Sequence, residues 1–468
     1  MTPKMPGYHI LTWGCQMNEE DSEQMGLYLE QMGYTRVESP EEAEVVLLNT
    51  CSVRQKPEQK VYSKLGELKE LKQEHPEMII AVCGCMAQVE TANIRRRTPF
   101  VDLIVGTGNI AELPRLIVQA QEQRSRLKQE ADALEDGHKH RVRKRAITSL
   151  DLPVRKGIIV TDVPMRNIQR TPKLRAYVPI MYGCDKFCTF CIVPFTRGRE
   201  RSRPGADILM EINGLARAGT KEVTLLGQTV NSYGKNMAEG RVPFARLLEQ
   251  ISQVRGIKRI RFTSPYPRDF TDELIETMAR LPEVCEHVHL PLQVADDELL
   301  QRMHRGYTVK EYREIVNKLR RAMPGISITT DIMLGFPGET DERYRNTMRF
   351  VEDIRFDAAF MFAYSIRDNT KAAVMEDQVP HDVKIERLNE LVDLQNRIST
   401  EINQEHIGQQ YEVLVESISP RDASRMSGMT RTMKTVHFPG ERSLIGKMVQ
   451  IRVTEGHLTG FIGEMVLE

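Results

Sequence analysis

The sequence has no excess of either charge: 65 Lys and Arg stand against 65 Asp and Glu. A uniform field drawing the whole chain onto nucleic acid or an acidic surface is therefore excluded. It has no run of roughly 20 apolar residues, the length a membrane-spanning helix requires. Its first ten residues carry no apolar run behind Lys4. A cytoplasmic protein without a membrane partner is expected. Cysteine is scarce, with 8 in 468 residues, too few for a disulfide-stapled scaffold. Neither a loop of P-loop spacing nor a Ser-His-Asp set is present. What remains has ordinary globular composition and a length that suits about three domains.

The cysteines carry most of the information. Apolar, strand-like runs at 8–13, 44–48 and 78–82 each end in a turn bearing one: Gly14-Cys15, Asn49-Thr50-Cys51 and Gly84-Cys85. Separations of 36 and 34 residues match strand-plus-crossover units, so the strands should be parallel with their C-terminal ends on one edge. Open α/β sheets bind ligands at that edge. We assign 6–120 to an α/β, Rossmann-like domain. The stretch 121–170 reads as a linker, with a charged segment, a basic run from His138 to Arg145, and prolines at 153 and 164. Strands expected near 176–182, 222–227, 257–263, 287–291, 326–334 and 358–364 alternate with helical patterns. They predict a partial (β/α)6 barrel over 171–405, with a long helix from 382 to 406 at its end. β-branched runs at 411–416 and 448–453, separated by glycines, predict a small β-barrel over 406–468.

Cys184, Cys188 and Cys191 follow the first barrel strand at three- and two-residue gaps. A structural zinc site wants four protein ligands, and a disulfide would leave an odd thiol. A 4Fe-4S cluster with one iron left open fits the count, because that iron can chelate a substrate's amino and carboxylate groups; a ferredoxin run has a fourth cysteine. The segment from Gly183 to Cys191 resembles the radical S-adenosylmethionine superfamily. The resemblance implies reductive cleavage of S-adenosylmethionine to a 5′-deoxyadenosyl radical.

Cys15, Cys51 and Cys85 should converge by the parallel-strand argument, which points to a second cluster or to a structural set of thiols. Their surroundings, Gly14-Cys15-Gln16-Met17-Asn18, Asn49-Thr50-Cys51-Ser52-Val53-Arg54 and Gly84-Cys85-Met86-Ala87-Gln88, resemble the N-terminal domain of the methylthiotransferases. In that family a second 4Fe-4S cluster supplies or carries sulfur. Cys83 and Cys285 read as core residues. Segments 193–203, 226–233 and 331–340 look like the tRNA branch of the family, and the C-terminal barrel resembles a TRAM domain. The resemblance implies methylthiolation at C2 of N6-isopentenyladenosine beside the anticodon of tRNA. It also implies an electron donor such as a flavodoxin or ferredoxin, a sulfur donor that the sequence does not identify, and a monomer. The sister activities, on threonylcarbamoyladenosine in tRNA or on a ribosomal protein, stay open, as does a non-catalytic metal-containing RNA-binding protein.

Strand-end groups Gln228, Ser264, Gln293 and Asp331 are candidate S-adenosylmethionine contacts, because ligands gather on that face of a barrel. Gly335 could bring backbone to the cofactor or simply make a turn. From 165 to 203, nine Lys or Arg oppose Asp185 and Glu200, a local positive field that could face RNA or be a solvated run. Arg421, Arg425, Arg431 and Lys434 form a second basic strip that could meet phosphates. His287 and His289 alternate on one strand and so share a face, as a hydrogen-bonded pair more readily than a metal site.

Overall fold

The computed structural model describes residues 5–51, 55–133, 146–152, 166, 170, 172–237 and 242–466. The basic run from His138 to Arg145 and the prolines at 153 and 164 lie outside them.

The N-terminal unit is a six-stranded sheet of β1 (Gly7–Trp13), β2 (Thr35–Arg36), β3 (Val45–Thr50), β4 (Ile79–Gly84), β5 (Leu103–Val105) and β6 (Ile147–Ser149). The order is β2-β1-β3-β4-β5-β6, and every pairing is parallel. β3 and β4 are buried throughout because helices cover both faces, the usual state of a central parallel strand. β6 lies inside the stretch read as a linker. Its three residues carry too little pattern to register in sequence, and pairing with β5 is what makes them a strand.

The central unit holds β7 (Arg175–Pro179), a short antiparallel pair β8 (Met181–Tyr182) and β9 (Arg201–Ser202), then β10 (Glu222–Leu226), β11 (Arg259–Phe262), β12 (His287–His289), β13 (Ser327–Leu334) and β14 (Ala358–Ala363). They form two parallel three-stranded sheets, β11-β10-β7 and β12-β13-β14. An isolated bridge between Ile260 of β11 and Val284, just ahead of β12, links them. Val288, Ile328, Ile332 and Leu334 point outward into the main core beneath Tyr312, Val316, Leu319 and Phe350. Their neighbours His287, His289, Thr329, Asp331 and Phe360 therefore share the opposite, inner face, which registers Asp331 against Phe360. The long helix runs from His381 to Glu405.

The last unit is a closed barrel of β15 (Gln410–Ile418), β16 (Arg425–Thr430), β17 (Thr435–Pro439), β18 (Met448–His457) and β19 (Gly460–Met465). It is docked against the first-residue end of the central strands. Arg259 donates to the carbonyls of Met429 and Glu412 at 2.7 and 2.9 Å. Arg261 donates to those of Arg431 and Thr430, both at 2.7 Å.

Most cations of the two basic features read from the sequence are paired within the protein. Arg166 pairs with Glu20 and Glu211, Arg170 with Glu23 and Glu211, Arg197 with Asp21, and Arg203 with Glu211. Lys173, Arg175, Lys186 and Arg199 pair with Glu23, Glu416, Asp269 and Asp185. The 165–203 stretch is thus mainly an interdomain seam in place of an open positive field, because Glu20, Asp21 and Glu23 of the N-terminal unit, together with the nearby Glu211, take most of its guanidinium groups. In the second strip, Arg431 binds Glu286 and Lys434 binds Asp357 at 2.8 and 2.9 Å, leaving those two cations turned to the central unit.

Candidate functional site

Three strand ends on one edge bring the first cysteine trio together. Cys15 is the N-cap of the helix Gln16–Gln31, and Cys85 opens the helix Cys85–Val89. The backbone N–H of Cys51 donates to Trp13 O at 2.9 Å. Gly14 (φ +149°) faces Cys51 so closely that a Cβ there would stand 2.8 Å from the Cys51 Cβ. Asn18 and Asn49 brace the floor: Asn49 donates to Asn18 O and to Ser22 Oγ, both at 2.8 Å.

The electrostatics of this trio favour thiolate at Cys15 and Cys85 and thiol at Cys51. Hydrogen bonding from Cys51 pulls the Cys15 thiol down to about 5 against the cost of burial, helped by Arg197 and by the backbone N–H groups of Asn18 and Met17. The same bond from Cys51, again with Arg197, lowers Cys85 to about 7. Cys51, whose single proton is shared between these two sulfurs, is pushed far up. Thiols at helix N-termini beside a guanidinium ionise readily. Arg197 is buried and donates to Asp21 Oδ2 at 2.7 Å. Burial raises Asp21 to about 6 despite that partner.

The second trio is local. Cys184 follows β8, and the backbone N–H of Cys191 donates to Cys188 O at 3.0 Å. Thr189 pins the loop, its N–H donating to Met303 O at 3.1 Å and its hydroxyl to Arg302 O at 2.9 Å. Burial, reinforced by the neighbouring cysteines, pushes Cys184 and Cys191 up to about 12. The segment just after Cys191 crosses to the first trio: Thr107 Oγ1 donates to Thr196 O at 2.6 Å, and Arg197 completes the contact.

All eight cysteines are free. Among the described residues no three His, Cys, Asp or Glu side chains are placed to hold a metal ion. Two sets of three unbridged thiols, one per strand-end loop cluster, suit a larger multi-iron group whose irons each take one cysteine.

The other candidates are placed unevenly. Gln228 Oε1 is buried without a hydrogen-bond partner, a polar atom that a ligand would satisfy. Ser264 and Gln293 have φ of 51° and 77°, strained values for non-glycine residues at strand ends. Gln293 stays locked to β13 by bonds to Asp331 O and from Met333 N, both 2.8 Å. Asp331 faces His289 Nε2 at 3.4 Å. At Gly335 (φ +72°) a Cβ would lie 2.2 Å from Lys384 Cγ, so this glycine makes room for Lys384. His287 and His289 both hydrogen-bond Thr329 Oγ1, at 3.2 and 3.0 Å. Cys83 and Cys285 are buried, Cys83 in the core of the first sheet. Sequence reasoning missed Arg305, whose Nη1 donates to Cys188 Sγ at 3.3 Å; no spacing rule links residues 117 apart.

Residues 7–106 match the uncharacterized protein family UPF0004, 178–351 the Radical SAM superfamily, and 404–466 the TRAM domain. The fold also aligns with that of the radical S-adenosylmethionine methyltransferase TsrM from Kitasatospora setae. That alignment has a TM-score of 0.54 and 15% identity over 79% of this chain and 74% of that one. The family matches define the class, a Radical SAM superfamily protein carrying a TRAM domain.

Full-length relatives narrow the class. The tRNA-2-methylthio-N6-dimethylallyladenosine synthase of Moorella thermoacetica is 47% identical over 98% of both chains. That of Carboxydothermus hydrogenoformans is 46% identical over 98% of this chain and 99% of its own. The chain belongs to the tRNA-2-methylthio-N6-dimethylallyladenosine synthase family.

Proposed function

We propose that this protein is a tRNA methylthiotransferase that places a methylthio group on C2 of N6-isopentenyladenosine beside the anticodon. The observation that carries the reading is full-length identity of 47% to a synthase of that name in a chain with two convergent cysteine trios. The test is mass spectrometry of anticodon-region nucleosides from a strain lacking the gene. Loss of the methylthio form with accumulation of isopentenyladenosine is expected; unchanged methylthio-isopentenyladenosine would exclude this substrate and turn attention to the sister activities.

In this reading Cys184, Cys188 and Cys191 hold one 4Fe-4S cluster and Cys15, Cys51 and Cys85 a second. When bound, the first supplies the electron for radical cleavage of S-adenosylmethionine, and the second serves sulfur delivery. Gln228, Ser264, Gln293 and Asp331 are the proposed S-adenosylmethionine contacts. The orphaned amide oxygen of Gln228 is the strongest support for that group. The inner face around His289 and Phe360 would receive the extruded base, since chemistry on a base requires it out of its stack. Phe360 is 54% exposed there. Arg197, from the segment that follows the second trio, supports the ionised forms of Cys15 and Cys85.

The functional units are then 6–120, 171–405 and 406–468, with 121–170 between them apart from β6. A flavodoxin or ferredoxin as electron donor, a monomeric state and a cytoplasmic location complete the proposal. No helix among the described residues is long and apolar enough to cross a membrane.

A further inference from the structure

We propose that Arg305 is a positioning residue that tunes the reduction potential of the cluster held by Cys184, Cys188 and Cys191, through its hydrogen bond to the Cys188 sulfur. The proposal rests on the cluster assignment made above. Arg305 is 7% exposed. Its guanidinium donates from Nη1 to Cys188 Sγ at 3.3 Å, from Nε to Tyr307 Oη at 3.0 Å and from Nη2 to Pro291 O at 3.2 Å. Two tyrosine rings flank it, with centroids 5.1 Å (Tyr266) and 5.3 Å (Tyr307) from Cζ. None of these partners is a carboxylate. A buried cation requires a counter-charge, and the sulfur is the partner that becomes an anion once it ligates iron.

The surroundings fix this aim. Tyr307 Oη donates to Leu292 O at 2.8 Å, and the Tyr266 hydroxyl donates to the carbonyl of Arg305. His304 turns through φ 58° with its Nδ1 3.3 Å from Phe187 O. The loop from Met303 to Tyr307 therefore clasps the cysteine loop through the Met303 carbonyl and the His304 ring, and the guanidinium is a separate addition aimed at one sulfur. Reduction adds negative charge to a cluster, and hydrogen bonds and charge at its sulfurs set the potential. A fixed cation at Cys188 favours the reduced form and so raises the potential.

The test uses the full-length chain carrying Cys15→Ala, Cys51→Ala and Cys85→Ala, so that one cluster remains, with Arg305→Gln and Arg305→Lys added separately. Iron content and the midpoint potential from an EPR-monitored titration are compared. Arg305→Gln is expected to shift the midpoint to more negative potential at unchanged iron content, and Arg305→Lys, which keeps the charge, to shift it less. If either variant loses iron, the other decides. A midpoint equal to that of the parent in every variant that retains iron overturns the proposal. A parent that binds no cluster would instead sink the ligand assignment, a separable failure.

Discussion

The two cysteine trios solve the same problem, three thiols around one point, by opposite means. Cys184, Cys188 and Cys191 are gathered by eight consecutive residues, so a loop alone makes the site. Cys15, Cys51 and Cys85 come from three strand ends across 71 residues, so only the parallel sheet makes theirs. The chemistry differs with the construction. Helix N-termini, a shared hydrogen bond from Cys51 and Arg197 bias Cys15 and Cys85 toward thiolate, whereas burial pushes Cys184 and Cys191 up to about 12. The lesson is that the site assembled by topology draws its guanidinium, Arg197, from the neighbouring domain, while the site made by one loop draws its own, Arg305, from within its domain.

The largest effect that could break this comparison is on catalysis. Cys191→Ala should abolish 5′-deoxyadenosine formation, whereas Cys85→Ala should retain it and lose only methylthio product; chromatography of both products distinguishes them. Equal loss of cleavage in both variants would end the division of labour. Next, iron analysis of anaerobically reconstituted protein should give about eight irons for the parent and about four for a variant lacking either trio, the contents of two and one 4Fe-4S clusters. A parent with about four irons would leave a single cluster.

A smaller effect tests the link between the sites. Arg197→Met leaves buried Asp21 without its partner and should cost about 3–5 kcal/mol of stability, as broken buried pairs do, read as a fall in the denaturant midpoint. The smallest is a reactivity order in metal-free protein. With Cys15 lowered to about 5, its thiolate is populated above that pH and protonated as pH falls through it. Iodoacetamide at pH 7 should therefore label Cys15 well before Cys184 or Cys191, and Arg197→Lys should preserve that order. Labelling of Cys191 first would reverse the electrostatic contrast.

Linkage gives a check on the seam itself. Burial raises the Glu211 carboxyl, but Arg166, Arg203 and Arg170 outweigh it and hold it below its ordinary value. Its contribution to stability is then present at neutral pH and lost as pH falls below the ordinary carboxylate range. Glu211→Gln should flatten that part of the acid-unfolding profile.

The sequence by itself determined the local features: the cysteine loop, the strand periods, the parallel order that aligned Cys15, Cys51 and Cys85, and the closing β-barrel. These follow from spacing and from alternation along a short stretch of chain, which backbone geometry converts directly into structure. Only the tertiary structure decided where long side chains end. Arg166 meets Glu20, Arg259 meets the barrel backbone at Met429, and Arg305 meets Cys188, contacts spanning 146, 170 and 117 residues. The basic stretch that could face RNA or be a solvated run is instead largely paired within the fold. A flexible side chain's charge is satisfied by whatever the fold brings within a few ångströms, and that proximity is not written in linear order.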